Sequence, residues 1–213
     1  MLGLPKSTEL SKQLPKNAIY AKFQMNPAEK TKIDADISRI TIVNEVTSTK
    51  LNISDGEQVP SFFVLLVALK RKDFEEKTII TISKLIPQNM LLVLECGGEA
   101  KLVTYHTKLM QTEWKPKEEL SIELKGLNMD SVWENIIVQI GGITINQGNT
   151  LDEQIVVDEQ RKKIQKEIDR LTRLAKNEKQ PKKKFELAQK ANVLKKQLTE
   201  LGKKIKEGTE DDK

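Results

Sequence analysis

The chain has 213 residues, with 36 Lys and Arg against 31 Asp and Glu, one His, one Cys and nine aromatic side chains. One Cys excludes an intrachain disulfide framework, and one Cys with one His excludes a zinc site built from those ligands alone. No run of about 18 apolar residues exists to span a bilayer, and the opening MLGLPKSTELSKQLPK lacks the apolar centre of a secretory signal. A cytoplasmic protein with no cofactor, no metal and no membrane association is expected.

The first predicted element opens at Asn26-Pro27-Ala28-Glu29, where Asn is placed to cap, Pro to start the helix and Glu to close a capping box. This helix is expected to run to about Arg39. Ile40 to Val46 is β-branched and partly alternating, as in a half-buried strand, whereas Ser61 to Lys70 is apolar throughout, as in a strand covered on both faces. Asp73 with Glu76 offers a second capping box, leading a helix through Ile79, Ile80, Ile82, Leu85 and Ile86 to a stop at Pro87.

Met90 to Cys96, Gly97-Gly98 and Glu99 to Thr107 form two apolar runs around a two-residue glycine turn, the pattern of a β-hairpin. A short strand is expected at Leu120, Ile122 and Leu124. A helix capped by Asp130 or Ser131 then carries Trp133, Ile136, Ile137 and Ile140 and stops at Gly141-Gly142. Residues 1–148 therefore read as an α+β domain, with helices packed on a small mixed sheet.

From residue 151 the apolar period becomes that of a coiled coil. Val157, Ile164, Ile168, Leu171 and Ala175 follow spacings of 7, 4, 3 and 4, with Arg161 at the one polar seam position. After Asn177-Glu178-Lys179-Gln180-Pro181, the positions Leu187, Ala191, Leu194, Leu198, Leu201 and Ile205 alternate 4, 3, 4, 3, 4. Residues 151–206 are thus expected to form an antiparallel coiled-coil hairpin, an arm of roughly 35 to 38 Å at a rise of ~1.5 Å per residue. Residues 207–213 read as a disordered acidic end.

Charge divides along the same line. Residues 1–150 hold 18 basic and 18 acidic side chains, whereas residues 151–206 hold 17 and 9. Eight of the nine aromatics precede residue 150, so the large core belongs to the first part.

Chemistry is sparse. Cys96 and His106 are the only nucleophile and base of their kind, but a hairpin pairing Cys96 with Glu99 puts His106 roughly 23 Å along its strand at ~3.3 Å per residue. A metal-dependent nuclease needs a carboxylate on one strand and a Glu-x-Lys pair on the next. Glu99-Ala100-Lys101 has those letters, but Ala68-Leu69-Lys70 has alanine where the carboxylate is required, and the pair reads instead as a solvated hairpin end. Gly97-Gly98 and Gly141-Gly142 do not precede helices and cradle no phosphate. Trp114 beside Lys115-Pro116-Lys117, with Tyr105 and His106 upstream, offers a small stacking surface or a partly buried Trp at a strand end.

The sharper signal is the arm. Contacts to nucleic acid or to an acidic partner are expected at Lys162, Lys166, Arg170, Arg173, Lys179, Lys182, Lys183 and Lys184. The segment from Lys179 to Lys184 places four lysines in six residues, where mutual repulsion disfavours them unless an anion arrives. The bland reading is that these lysines only keep a helical hairpin soluble. Ile155, Val156, Leu174, Phe185 and Val193 flank the seam and would either dock on the body or recruit a partner helix or second copy.

The stretches LPKSTELSKQLPK, ISRITIVNEV, VALKRKDF, SKLIPQNMLLVLE, YHTKLMQTEW and EKQPKKKFELAQK resemble a bacterial family defined as a domain of unknown function, number four-three-nine-one. The resemblance spans nearly the full length and rests on core and turn residues, so it carries no catalytic set. It implies an accessory protein beside helicase and DNA methyltransferase neighbours in restriction-like phage-defence loci. The expected function is a non-catalytic interaction component of a nucleic-acid-handling assembly. In this reading the 61–70 strand and the 90–107 hairpin dock a protein partner, while the arm touches DNA, RNA or an acidic surface. A nuclease-like or other catalytic subunit is the alternative, and a purely structural dimeriser the third.

Overall fold

The computed structural model describes residues 2–207, and the chain divides into two compact units after Gly142. The first unit is built on a seven-stranded mixed sheet. Its strands are β1 (Glu9–Leu14), β2 (Ile37–Thr47), β3 (Ser61–Leu69), β4 (Asn89–Cys96), β5 (Glu99–Tyr105), β6 (Leu109–Gln111) and β7 (Lys115–Pro116). β1 to β6 lie side by side in chain order, and β7 pairs with β5. Only β3 and β4 are parallel, and the chain between them makes the crossover that a parallel pair requires. The crossover is α4 (Glu76–Leu85); α1 (Lys16–Lys22), α2 (Pro27–Asp36), α3 (Ser48–Leu51) and α5 (Met129–Gly141) complete the unit. The architecture is α+β, as expected.

β3 from Phe62 to Leu69 and β4 from Met90 to Leu94 are apolar without a break because both their faces are covered. Leu65, Val67, Leu92 and Leu94 point to one face, where Ile19 and Tyr20 of α1, Ile33 of α2 and Ile79 and Ile82 of α4 join them in one buried cluster. On the other face Phe62 meets Trp133 of α5, with ring centroids 5.2 Å apart. Each such fully buried side chain contributes roughly 1.5–3 kcal/mol. The hairpin turn forms where two glycines stand, since Gly97 and Gly98 adopt φ of 62° and 84°, the two left-handed positions of a type I′ turn.

Several boundaries differ from expectation, each for a local reason. α2 stops at Asp36 instead of Arg39, because Ile37 and Arg39 already pair with Leu69 and Ala68 of β3. Asp73 makes no capping box: the residue capping α4 is Glu75, without a side-chain cap. α5 is capped by Asn128, whose side chain accepts from the N–H of Ser131 while Ser131 Oγ accepts from the N–H of Asn128. Asp130 is free for another task. Its carboxylate accepts from the backbone N–H groups of Glu57, Gln58 and Val59 at 2.7, 3.1 and 2.7 Å. Those amides hold it below the usual carboxylate range, against the opposing effect of desolvation. The same loop joins the start of α5 through Ser54, which donates to Leu127 O and accepts from Met129 N–H. Gly56 is required there, since a Cβ would meet the Asp130 carboxylate and approach Val59 O to 2.7 Å.

Leu120 and Ile122 are buried but lie in irregular chain after a 3-10 turn at Lys117–Glu119, so no strand forms at 120–124. β1, β6 and β7 were invisible as patterns. β1 is a mostly exposed edge, registered by Lys12, Gln13 and Leu14 opposite Ile42, Thr41 and Ile40. The buried amide of Asn44 donates to Thr8 Oγ1 at 2.9 Å just before it.

Asp36, 2% exposed, ties the α2–β2 junction to the segment entering α4. Its carboxylate accepts from Arg71 Nε and Nη2 at 2.9 and 2.7 Å and from Glu75 N–H at 3.0 Å. Burial alone would raise its pKa, but the Glu75 amide and the Arg71 guanidinium hold it below the ordinary value.

Candidate nucleic-acid interface

The second unit is dominated by α6 (Leu151–Asn177) and α7 (Pro181–Glu207). α6 opens with a capping box in which Thr150 Oγ1 accepts from Glu153 N–H at 3.3 Å and Glu153 accepts from Thr150 N–H at 2.8 Å. α7 opens on Pro181, whose missing N–H costs nothing at a helix start. The two run antiparallel, since Leu174 shares a cleft with Leu187 near the turn and Gln165 shares another with Leu198 further along. Of the positions expected in the seam, Ile168, Leu171, Ala175 and Ala191 are buried, and Val157, Ile164, Leu187, Leu194, Leu198 and Leu201 are half-buried. Ile205 lies outside the described side chains, and 208–213 outside the described residues. Glu207, expected in the acidic end, is the last residue of α7.

All eight predicted contact residues are exposed, but they do not form one patch. Lys162, Lys166, Arg170 and Arg173 follow spacings of 4, 4 and 3. At 3.6 residues per turn they line a single stripe on the outer side of α6, about 16 Å long, with Lys162 also bordering the cleft shared with Leu198. Arg170 is not a free member of the stripe. Its guanidinium donates to Glu167 in a two-pronged pair at 2.8 and 2.7 Å, and this raises the Arg pKa and lowers that of Glu167. No described ion pair holds Lys162, Lys166 or Arg173.

The remaining cations gather at the turn. Lys182, Lys183 and Lys184 are consecutive, so they fan around the first turn of α7 instead of sharing a face. No carboxylate stands in that turn, and three ammonium groups sit at the positive end of the helix dipole, which favours anions. Lys183 faces an open cleft of about 500 Å³ with Leu174, Glu178, Glu186 and Leu187. Glu178 accepts from Gln180 N–H at 2.9 Å, and that bond, the Lys179 amide and the Lys183 charge hold its carboxyl below the ordinary value. Of the flanking apolar residues, Ile155 is buried and unavailable to a partner, whereas Val156, Leu174, Phe185 and Val193 are exposed.

A family model described as Domain of unknown function (DUF4391) matches residues 2–198. The chain belongs to this family. The DUF4391 match runs through the sheet, the whole of α6 and α7 as far as Leu198, so the helical pair is as much part of the family pattern as the sheet. No curated protein and no solved structure matches the chain.

In the first unit, Cys96 faces Glu99 across the hairpin, as expected, with His106 seven residues beyond it. Among the described residues, no group of three or more His, Cys, Asp and Glu side chains could hold a metal ion. The Glu99-Ala100-Lys101 segment is not the solvated hairpin end that was expected. Ala100 is fully buried and Lys101 is 8% exposed. Lys101 Nζ donates to Gln111 Oε1 at 2.6 Å and sits 4.9 and 5.3 Å from the ring centroids of Phe74 and Trp114. Lys72 pairs with Glu99 and lies over Trp114 as well, at 5.6 Å. Burial lowers the Lys101 pKa, while Glu76 and Glu113 pull it back up. Sequence reasoning missed this enclosure because Phe74, Gln111 and Trp114 come from three separate loops and edges. Cation–π geometry over two rings makes Lys101 a brace between β5, its neighbours and the start of α4. Trp114 is half-buried, as the plainer of its two readings required.

Proposed function

We propose that this protein is a non-catalytic interaction component of a nucleic-acid-handling assembly, in which the sheet domain docks a protein partner and the helical pair touches phosphate. The observation that carries the reading is the exposed stripe Lys162–Lys166–Arg173, on the outer side of α6 and without described ion pairs, in a unit of net positive charge beside an electrically neutral one. Cations left unpaired on a helix face neutralise phosphates and release counterions, which fixes position without reading sequence. The lysine fan at the start of α7 supports the same chemistry. In this reading the pair is an antiparallel coiled coil and the protein works in the cytoplasm, and the family resemblance implies a bacterial, restriction-like defence assembly.

The test is retention of the full chain on duplex and single-stranded DNA between 50 and 200 mM salt. Binding that weakens steeply with salt is expected, and Lys162→Gln, Lys166→Gln and Arg173→Gln together should reduce the log–log slope by about 3 on duplex. Failure of the intact protein to bind either form at low salt overturns the phosphate role and leaves an acidic protein surface or a second copy as the contact.

A further inference from the structure

The outer face of α7 differs in kind from that of α6. Starting at Phe185, the positions i+4, i+7 and i+11 are Gln189, Asn192 and Lys196, and Lys182 stands at i−3. These spacings put the five on one side of the helix, opposite the Leu187–Ala191–Leu194–Leu198 seam. All five are exposed, and Phe185 is 68% exposed, the only aromatic in the unit. Between Lys182 and Lys196 that strip holds no carboxylate, because Glu186 is rotated about 100° away and lines the cleft with Leu174. One bare ring, two neutral amides and a lysine at each end therefore follow one another over about 21 Å.

Resting on the phosphate reading above, we infer that the Lys182–Phe185–Gln189–Asn192–Lys196 strip is a track for single-stranded nucleic acid, with Phe185 as the platform on which one base stacks. Each group has a matching partner in that ligand. The ammonium groups meet phosphates, the amides both donate to and accept from base edges, and the ring offers a π-face that any base can cover. A duplex does not suit the strip, because its bases are already stacked on each other and closed to the ring. A second copy of the chain does not suit it either, since it would bring the same cations against Lys182 and Lys184. The α6 stripe, which has cations and no aromatic, lacks any feature that prefers single strands.

The experiment measures binding of the full chain to a fluorescent oligothymidylate and to a duplex of equal length at low salt. Phe185→Ala should weaken the single strand roughly 5- to 150-fold, the range of one lost base–aromatic stack, and change the duplex by less than about twofold. Phe185→Trp should retain single-strand binding, and its fluorescence should be quenched as the oligonucleotide saturates. Equal single-strand affinity for Phe185→Ala and the parent, or a Trp signal unmoved at saturation, overturns the track while the phosphate role stands. A parent that is dimeric where Phe185→Ala is monomeric assigns the face to self-association and overturns it too. No binding of either oligonucleotide removes both proposals.

Discussion

The sheet domain and the helical pair solve opposite problems with the same side chains. In the sheet domain several cations are spent internally, Arg71 on Asp36, Lys117 on Glu95, Lys16 on Asp34 and Lys101 between two rings, while others such as Lys12, Lys22, Arg39 and Lys77 are exposed without a described ion pair. In the helical pair the cations stand exposed, and the described ion pair there is Arg170 with Glu167. Net charge alone would not separate these uses, since a neutral surface can still hold a binding site. The partnering does: a cation with a built-in carboxylate is already satisfied, and one without is available to an outside anion.

The largest effect that would test this contrast is on stability. Trp133→Ala should cost about 3–5 kcal/mol, because the indole packs on Phe62 between α5 and the sheet. Leu194→Ala, at a half-buried seam position, should cost less than about 2 kcal/mol, since much of that side chain is already hydrated. Paired denaturant titrations check both, and equal losses would mean that the seam is as tight as the core. Next comes acid sensitivity. The folded-state pKa of Asp36 is depressed, so its contribution is present above the ordinary carboxylate value of 3.8 and fades as pH falls through the lower folded value. Asp36→Asn should therefore be less stable at neutral pH by roughly 1–3 kcal/mol and should differ least from the parent in strong acid.

Lys101 gives the same sign in an alkaline window, for the opposite reason: the fold disfavours its charged form. Its pKa is lowered in the fold, so the parent gains stability as pH rises from that lowered value toward the ordinary 10.5. Lys101→Met removes the buried charge, and its unfolding curve should lack that rise while the lysine-dependent contacts to Gln111 and the two rings are lost. The smallest effect belongs to the helical pair. Glu167→Gln frees Arg170 from its only described partner and should tighten nucleic-acid binding by a few-fold at low salt, without a change in melting temperature beyond about a degree. Tightening that persists at high salt would argue against a phosphate contact.

Periodic segments were legible because their pattern is set by what they bury. The β4–β5 hairpin, the doubly covered β3 and both long helices follow from runs of apolar residues and from turn glycines. β1 was not legible, since ELSKQL has no buried face and becomes a strand only because β2 offers it an edge. The end of α2 was misplaced for the same reason, as pairing with β3 outweighs helix propensity at Ile37. The eight cations are exposed, helical angles separate the α6 stripe from the α7 fan, and only distances reveal that Arg170 is engaged. Phe185 was read as a flank of the seam, although its spacing to Gln189 and Asn192 places it on the outer side.

The Asp130 carboxylate, caught by three consecutive amides of the 57–59 loop, makes that loop and the first turn of α5 a single opening unit. Neither can exchange its amide hydrogens independently, because unwinding at Met129 also withdraws the acceptor that protects Glu57 and Val59. The loop, long and polar enough to look idle, therefore borrows the lifetime of a helix.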